Sequence, residues 1–323
     1  MTQLAGWTQD ISPFHDGEQA VQELAGVRAK AEKVGRRFIR DFMPDQHREF
    51  YAQLPFILVG SLDDQSRPWA SILTNKSSFI TALDSQTLQF QASPLLGDRL
   101  SDNLKLNANL GFLGIELHTR RRNRVNGKVT VIAPNNFSVH VTQSFGNCPQ
   151  FIHKRNLVWL PERFENPVNQ AQTFDHFTAD IANIIRQADS FYLATSFNGK
   201  YEKGNEGVDM SHRGGKPGFV KLEGDRTFIF PNFAGNNFYN TLGNLHLNNH
   251  IGVLFVDFEA GNLVSLTGTA EIIWEDEQLE NFKGAEQLIR VTAEEIIYLP
   301  EALPFRWDFD EYSPANEFVG DWQ

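Results

Sequence analysis

The chain contains a single cysteine, Cys148, among its 323 residues. One cysteine excludes a disulfide within the chain and is typical of a protein in a reducing compartment. Long apolar runs are also lacking, since stretches such as 251–256 are far shorter than the ~20 residues that cross a bilayer. The first residues show no basic region followed by an apolar core, so we expect a cytoplasmic protein without a secretion signal.

Positive charge is scarce, with 29 Lys and Arg against 40 Asp and Glu and a formal net charge of −11. This balance argues against a general nucleic-acid binder or a protein that binds anionic membranes, because both need a basic field. The motifs of a phosphate-binding nucleotide loop, a dinucleotide fingerprint and a serine nucleophile elbow are absent from the sequence. An anionic ligand therefore needs a local cluster of donors.

What the chain does contain is an internal repeat. Residues 103–132 align with 244–273 without a gap, so that Gly111 coincides with Gly252 and several Asn and Leu residues also match. Upstream, TLQF (87–90) matches TFIF (227–230) in the same order. We predict two copies of one β-rich domain, forming a dimer within a single polypeptide.

Short β-branched and aromatic segments between turns predict mainly antiparallel strands and a small barrel in each half. The predicted domains are a helical lead at 1–54, a first barrel at 55–160 and a second barrel at 173–312. Predicted strands are 56–62, 68–74, 87–92, 109–116, 125–133, 190–197, 206–212, 217–222, 226–231, 250–257 and 263–274. Helices are predicted within 17–53, at 177–188 and at 236–248. In the lead, one helical face would hold Val21, Leu24, Ala31, Val34 and Phe38.

The segment 208–245 carries the clearest chemical signal. It predicts a strand, a Gly-rich basic turn, a hairpin, and a Gly-Asn-Asn turn that enters a helix. A helix start offers unpaired N–H groups and a positive dipole end, which suit a phosphate. Gly235 would let the backbone come close, and the next two asparagines would add neutral donors. Further donors on the strand and basic turn are Ser211, His212, Arg213 and Lys216.

The combination of DMSHRGGKPGF (209–219), PNFAGNNFYNTLGNL (231–245) and LTGTAEI (266–272) resembles the flavin-nucleotide-binding branch of the pyridoxamine 5′-phosphate oxidase-like family. In the first half, NCPQFIHKR (147–155) is similar to a signature of the same branch. The resemblance spans about residues 50–310. It implies a mainly β fold of two tandem FMN-binding split β-barrels, packed as an intramolecular pseudo-dimer.

The resemblance also implies FMN between the barrels, with its phosphate held by 208–216 and 232–240. The candidate cofactor-binding residues of the second half are Asp209, Met210, Ser211, His212, Arg213, Lys216, Asn232, Gly235, Asn236, Asn237 and Asn240. Those expected to reach across from the first half are Gln150, Lys154 and Arg155. The implied function is an FMN-dependent oxidoreductase that acts on an unknown small molecule, and no catalytic residue is assigned.

The chain departs from the oxidase pattern in two places. Asn236 and Asn237 stand where the oxidase has an Arg-Lys pair, and the corresponding loop of the first half, 92–99, contains Asp98. An anion at that position predicts a degenerate first-half site and one FMN per chain. The substrate-binding residues of the oxidase are not recognisable, so the substrate and the electron donor stay open, as does a further homodimer.

Two other classes of function stay open at this point. The chain could be a flavin carrier or sensor without turnover, or it could bind haem or a deazaflavin, as relatives of the fold do. A haem role predicts an axial ligand, with His140, His153 and His212 as the candidates.

Three remaining features are interpreted as structural. The basic run RRRNR (120–124) is predicted to be a solvated β-turn, because its counterpart 261–265 reads as a hairpin tip. His246 and His250 lack a third ligand in the sequence pattern, so no metal site is predicted. Cys148 is interpreted as structural.

Overall fold

A computed structural model of the chain describes residues 5–76, 78–167, 170–199 and 204–322. Three helices precede the first barrel: α1 (Asp16–Leu24), α2 (Arg28–Phe38) and α3 (Asp45–Ala52). The elements of the first half are β1 (Phe56–Leu62), β2 (Pro68–Thr74), β3 (Ile80–Ala82), β4 (Thr87–Phe90), α4 (Leu100–Asn103), β5 (Asn109–Glu116), β6 (Arg121–Ala133), β7 (Asn136–Gly146) and β8 (Lys154–Trp159).

The second half repeats this succession. Its elements are α5 (Pro161–Glu165), β9 (Gln172–Phe174), α6 (Ala179–Gln187), β10 (Ser190–Phe197), β11 (Gly207–Gly214), β12 (Lys221–Leu222), β13 (Thr227–Phe233), α7 (Asn240–Leu247), β14 (His250–Val256), β15 (Leu263–Ile273), β16 (Ala285–Leu299) and β17 (Phe305–Glu311). Short 3₁₀ helices lie at Glu277–Asn281 and Pro314–Phe318. None of the helices in the described residues has the length and the apolar character of a membrane span.

The two large sheets have the same topology. The first runs β2-β1-β5-β6-β7-β4-β3, and the second runs β11-β10-β14-β15-β16-β13-β12, with β9 added beside β16. Replacing each strand by its counterpart, from β1 and β10 through β7 and β16, turns one order into the other. The predicted mainly β fold is therefore confirmed, and the repeat seen in the sequence corresponds to two barrels of one topology.

Each barrel has its own aromatic core. In the first, Phe90 stacks on Phe112 and Phe137 with ring centroids 4.8 and 4.7 Å away. In the second, the Phe191 ring contacts Phe230 edge-on with a centroid separation of 4.9 Å. These side chains alternate along their strands, which directs them all to the barrel interior. Each half can thus bury its own apolar residues.

The barrels meet along a close seam that requires glycine. A Cβ on Gly111 of β5 would lie 2.3 Å from the carbonyl oxygen of Val208 in β11. Its counterpart, Gly252 of β14, would place a Cβ 2.6 Å from the oxygen of Pro68 in β2. Backbone passes so close to backbone at both places that only glycine fits. The shared glycines of the repeat therefore mark the pseudo-symmetric contact between the halves.

A two-stranded ribbon links the halves a second time. β8 and β17 pair antiparallel, with Arg306 opposite Val158 and Phe309 opposite Arg155. Since Arg155 and Arg306 match in the repeat, these two pairs are related by the same pseudo-symmetry. The ribbon ties the end of one barrel to the end of the other.

Several element predictions need correction. In the lead, the predicted helical face is divided between α1 and α2, because the chain turns at Gly26 with φ 68°, and Leu24 and Phe38 are exposed. The predicted helix at 236–248 begins only at Asn240. Strands β3, β7, β8, β9, β16 and β17 were not predicted. β16 is rich in Ala, Glu, Gln and Leu, which favour helix, and its pairing with β13 and β15 overrides that local preference.

Candidate functional site

A cavity of about 870 Å³, counted with its open mouth, lies on the seam between the barrels. Its walls come from both halves: the start of β6 and the loop after β7 on one side, and β11 with the β13–α7 turn on the other. The lining residues are Leu113, Arg122, Arg124, Asn147, Cys148, Gln150, Phe151, His212, Arg213, Gly214, Asn232, Phe233, Ala234, Gly235, Asn236, Asn237, Tyr239, Asn240, Thr241, Leu242 and Glu286.

Three arginines give one end of the cavity a strong positive charge. Arg122 and Arg124 come from β6, and Arg213 comes from β11. The prediction of a solvated turn at 120–124 is therefore wrong for Arg122 and Arg124. β6 begins at Arg121, and alternate residues of a strand face the same side, so Arg122 and Arg124 both point into the seam.

The arginine cluster holds more charge than its neighbours neutralise. Arg124 pairs with Asp209 at 3.3 Å, whereas no carboxylate partner is found for Arg122 or Arg213 in the part of the chain that the structure describes. Burial and the charge of Arg124 lower the pKa of Arg122 to about 10. Burial and both other arginines lower the pKa of Arg213 to about 9. All three stay protonated at neutral pH, and their mutual repulsion favours binding of an anion.

Unpartnered donors around the cavity fit the same conclusion. Among the described residues, the buried Nε atoms of Arg122, Arg124 and Arg213 have no hydrogen-bond partner, nor does Nδ2 of Asn147. Buried donors are normally satisfied, and leaving one unpaired costs about 1–3 kcal/mol. A phosphate would supply acceptors for several of them, so the donor set fits a phosphorylated ligand.

The predicted Gly-Asn-Asn turn forms the facing wall. An added Cβ at Gly235 would meet nothing within 4 Å, so this position is open. Asn237 and Tyr239 have φ of 62° and 59°, in the left-handed region that asparagine tolerates better than other non-glycine residues. Asn236 donates to Oδ1 of Asn147 at 3.2 Å, across the seam. The turn is thus joined to the first half, and α7 starts immediately after it.

The structure brings most of the predicted residues of the second half to this cavity. Those that line it are His212, Arg213, Asn232, Gly235, Asn236, Asn237 and Asn240, and Gln150 joins them from the first half. Three others lie beneath the wall. Met210 is fully buried in the seam core, Asp209 accepts from Asn126 and Asn244 at 2.8 Å each, and the Ser211 hydroxyl bonds to Thr241 at 2.8 Å. They support the wall from behind.

Three predicted residues are not at the cavity. Lys154 pairs with Glu311 at 3.0 Å, and Arg155 pairs with Asp189 at 2.6 Å. Both belong to β8, whose pairing with β17 directs them away. Lys216 lies in the exposed turn after β11. The positive charge expected from these side chains comes instead from Arg122 and Arg124. The sequence signal that could have identified these two arginines is the alternation of basic residues at the start of a strand.

The three candidate haem ligands have different surroundings. Nδ1 of His212 lies 3.2 Å from Nη1 of Arg122 and accepts from it, which leaves the proton on Nε2. Burial lowers the pKa of His212 well below its usual value, so the ring is neutral. His153 donates from Nε2 to two backbone carbonyls and accepts at Nδ1 from the N–H of Ser313. Both rings are therefore arranged as hydrogen-bonding groups, while His140 lies on a second cavity.

Aromatic and acidic side chains also line the cavity. Phe151 and Phe233 stack across the seam with centroids 4.8 Å apart. Tyr239 donates its hydroxyl to Glu286 at 3.0 Å, and burial followed by the charge of Glu286 raises the tyrosine pKa. Cys148 also lines the wall. The site therefore combines cationic and aromatic side chains, as a ligand with a phosphate and a ring system requires.

The corresponding region of the first half is closed by its own side chains. Asp98 accepts from the Ser71 hydroxyl at 2.6 Å and from the N–H of Leu100, at the start of α4, at 2.7 Å. Arg99 pairs with Glu295, which also binds Arg67. Burial raises the pKa of Asp98 to about 6, so it is mostly ionised at neutral pH. A carboxylate already occupies the place at the helix start.

Residues 177–300 match the family model described as pyridoxamine 5′-phosphate oxidase. No curated protein matches the chain.

Several solved structures match in fold over part of the chain. A variant of HupZ from Group A Streptococcus is 18% identical, with a TM-score of 0.29, and the match covers 38% of this chain and 99% of that one. The FAD-binding protein from Mycobacterium smegmatis is 14% identical, with a TM-score of 0.27 and coverages of 39% and 99%. HutZ, the haem storage protein from Vibrio cholerae, is 12% identical, with a TM-score of 0.28 and coverages of 38% and 92%. The resemblance predicted from the motifs is confirmed for residues 177–300, which match the pyridoxamine 5′-phosphate oxidase family.

Proposed function

We propose that the chain is an FMN-dependent oxidoreductase that binds one flavin in the seam cavity and acts on a small molecule. The observation that supports this most directly is the cluster of Arg122, Arg124 and Arg213 beside the open Gly235 turn. A phosphate dianion would balance the two arginines that lack a carboxylate partner among the described residues, and it would accept from their unpaired Nε groups.

Different residues of the site would hold the phosphate and the ring system of the cofactor. Arg122, Arg213 and Asn147 would hold the phosphate, with Asn236 fixing the turn across the seam. The other wall, built by Phe151, Phe233 and Gln150, would face the ring system and limit the access of water. Bound flavin would supply the hydride or electron transfer, and the protein would supply binding and orientation. The proposed binding unit is the second barrel, 173–312, completed by residues of the first barrel, 55–160.

The neutral His212 ring favours flavin over haem at this cavity. Its Nε2 is buried without a hydrogen-bond partner among the described residues, and it carries the proton because Nδ1 accepts from Arg122. A protonated imidazole nitrogen donates a hydrogen bond and does not ligate iron. His212 is therefore proposed as one more donor to the cofactor.

The test is to purify the chain and record its visible spectrum, then release and identify the pigment. We expect a flavin spectrum, FMN on release, and about one equivalent per chain when the apoprotein is titrated. A Soret band would replace the proposal with a haem function. Two equivalents would show that the first-half site is also active.

Turnover requires a separate measurement. We expect the bound flavin to be reduced anaerobically by a reduced nicotinamide or by ferredoxin at a rate useful for catalysis. Bound flavin that none of these donors reduces would identify a carrier or sensor instead of an oxidoreductase.

A further inference from the structure

Within the N-terminal lead, residues 5–38 contact the cavity wall from outside both barrels. Its helix α1 lies directly against α7. A Cβ on Gly17 would lie 2.2 Å from the oxygen of Gly243, and a Cβ on Gly243 would lie 2.5 Å from Cα of Glu18. Both helices carry glycine where their backbones cross, so the contact is built for close approach. α7 follows the Gly-Asn-Asn turn of the cavity wall, so this contact is relevant to the candidate site.

Glu18 joins this contact to a residue that lines the cavity. The side chain is 2% exposed. One carboxyl oxygen accepts from the N–H of His15 at 2.8 Å as part of a capping box, and the other accepts from Nδ2 of Asn240. Asn240 is a cavity-lining residue and the first residue of α7. The orientation of its amide is therefore set by an acid of the lead.

A second bond and an aromatic contact hold the residue two positions earlier. Gln22 donates from Nε2 to the carbonyl oxygen of Phe238 at 2.9 Å, and the Phe14 ring packs edge-on against the Phe238 ring at 5.2 Å. Between the two held residues lies Tyr239, whose φ of 59° is unfavourable for a bulky side chain. The lead thus contacts the turn on both sides of its most strained residue.

We propose that α1 is a component of the ligand site, in which Glu18 is a positioning residue that holds Asn240, and Gln22 holds the turn at Phe238. This inference rests on the proposed function for its natural ligand, FMN, although the geometry predicts the same effect on any phosphate bound at the turn. The lead then gives the second-half site a support that lies outside the barrel repeat.

The charge state of Glu18 is compatible with this role. Burial and the nearby Asp209 raise its pKa well above the usual value. A neutral acid can hold the Asn240 amide without adding a second negative charge beside an anion site. Asp209 itself is engaged with Arg124.

The experiment compares variants of α1 in the full chain, with FMN and inorganic phosphate as probes of the apoprotein. Glu18→Ala removes the acceptor for Asn240 and should weaken FMN about tenfold. Glu18→Gln keeps the shape and one acceptor oxygen, so its FMN affinity should stay within about threefold of the parent. Glu23→Ala changes an exposed acid of the same helix and is the matched control, with unchanged affinity expected.

A role limited to folding would lower stability without changing the affinity of the folded protein. An FMN affinity of folded Glu18→Ala equal to that of Glu23→Ala would therefore overturn the proposal. If Glu18→Ala does not fold, Gln22→Ala decides by the same criterion, because it removes the bond to Phe238 together with the bond that Gln22 accepts from Arg28 within the lead.

Phosphate separates this inference from the proposed function. If the parent chain binds phosphate but no flavin, the flavin function fails, and a loss of phosphate binding in Glu18→Ala still supports the positioning role. If the parent binds neither probe, both are overturned.

Discussion

The two seam regions of this protein have the same backbone topology and opposite chemistry. At the second-half site, Arg122 and Arg213 line an open cavity, and no carboxylate partner is found for either within the described residues. In the first half, Arg99 is paired with Glu295, and Asp98 closes the start of α4. A repeated fold therefore fixes where a site can form, while a few side chains decide whether an anion can enter it.

The difference is also one of support from the rest of the chain. The lead packs on the turn before α7, an eight-residue helix. The corresponding loop of the first half precedes the four-residue α4 and is held by its own Asp98. The lead also contacts the first barrel, where Gln143 donates to the oxygen of Pro13. Its bond to the turn before α7 breaks the pseudo-symmetry of the duplicated barrels, which agrees with the expectation of one flavin per chain.

Removing the unpaired arginines should have the largest effect on this comparison. The double variant Arg122→Ala, Arg213→Ala should weaken FMN by at least about 100-fold, because each lost charge-assisted bond is worth roughly 1.5–3 kcal/mol. Fluorescence titration of the apoprotein measures it. Arg99→Ala, in the closed region, is the control and should leave the affinity unchanged. A double variant within tenfold of the parent would place the phosphate elsewhere.

The seam glycines test the symmetry itself. Gly111→Ala and Gly252→Ala each force a methyl group onto backbone at 2.3 and 2.6 Å, so each should lower the free energy of unfolding by about 2–3 kcal/mol. Denaturant unfolding measures both. Only Gly111→Ala should also weaken FMN, since it displaces β11, which carries Arg213. Equal flavin affinity in the two folded variants would argue that the seam does not shape the site.

Filling the open turn should have a moderate effect. Gly235→Val should weaken FMN by about 30-fold, because a β-branched side chain occupies the approach of the phosphate. Gly235→Ala is the matched control and should have a smaller effect, since nothing lies within 4 Å of the added Cβ. Full flavin affinity in a folded Gly235→Val protein would contradict the placement of the phosphate.

The smallest expected effect is a pH-dependent change in the free energy of unfolding, caused by Asp98 in the closed region of the first half. The pKa of Asp98 is raised to about 6 by burial, so its proton stabilises the fold at low pH, and this contribution is lost as pH rises from about 4 through 6. Asp98→Asn removes the ionisation and should be about 1–2 kcal/mol more stable than the parent at pH 8, with no gain at pH 4. Urea unfolding at both pH values measures the difference. A pH-independent difference would mean that the pKa of Asp98 is the same in the folded and the unfolded protein.

Sequence patterns located the Gly-Asn-Asn turn of the cavity better than the charged residues near it. Gly235, Asn236 and Asn237 were predicted from a local motif, and they do line the cavity. The lysine and arginine of β8 were predicted from a signature, but their partners Glu311 and Asp189 lie far away in the sequence. Long-range ion pairs leave no local pattern, so only the fold shows that these charges are already used.

The sequence by itself determined the duplication, the mainly β character and the turn that borders the cavity, because each leaves a periodic or contiguous signature in the chain. Tertiary structure alone decided that Arg122 and Arg124 face this cavity, that Asp98 closes the other region, and that Glu18 reaches Asn240. These relations join residues far apart in the chain, and they depend on how two barrels and a helix pack, which no local spacing encodes.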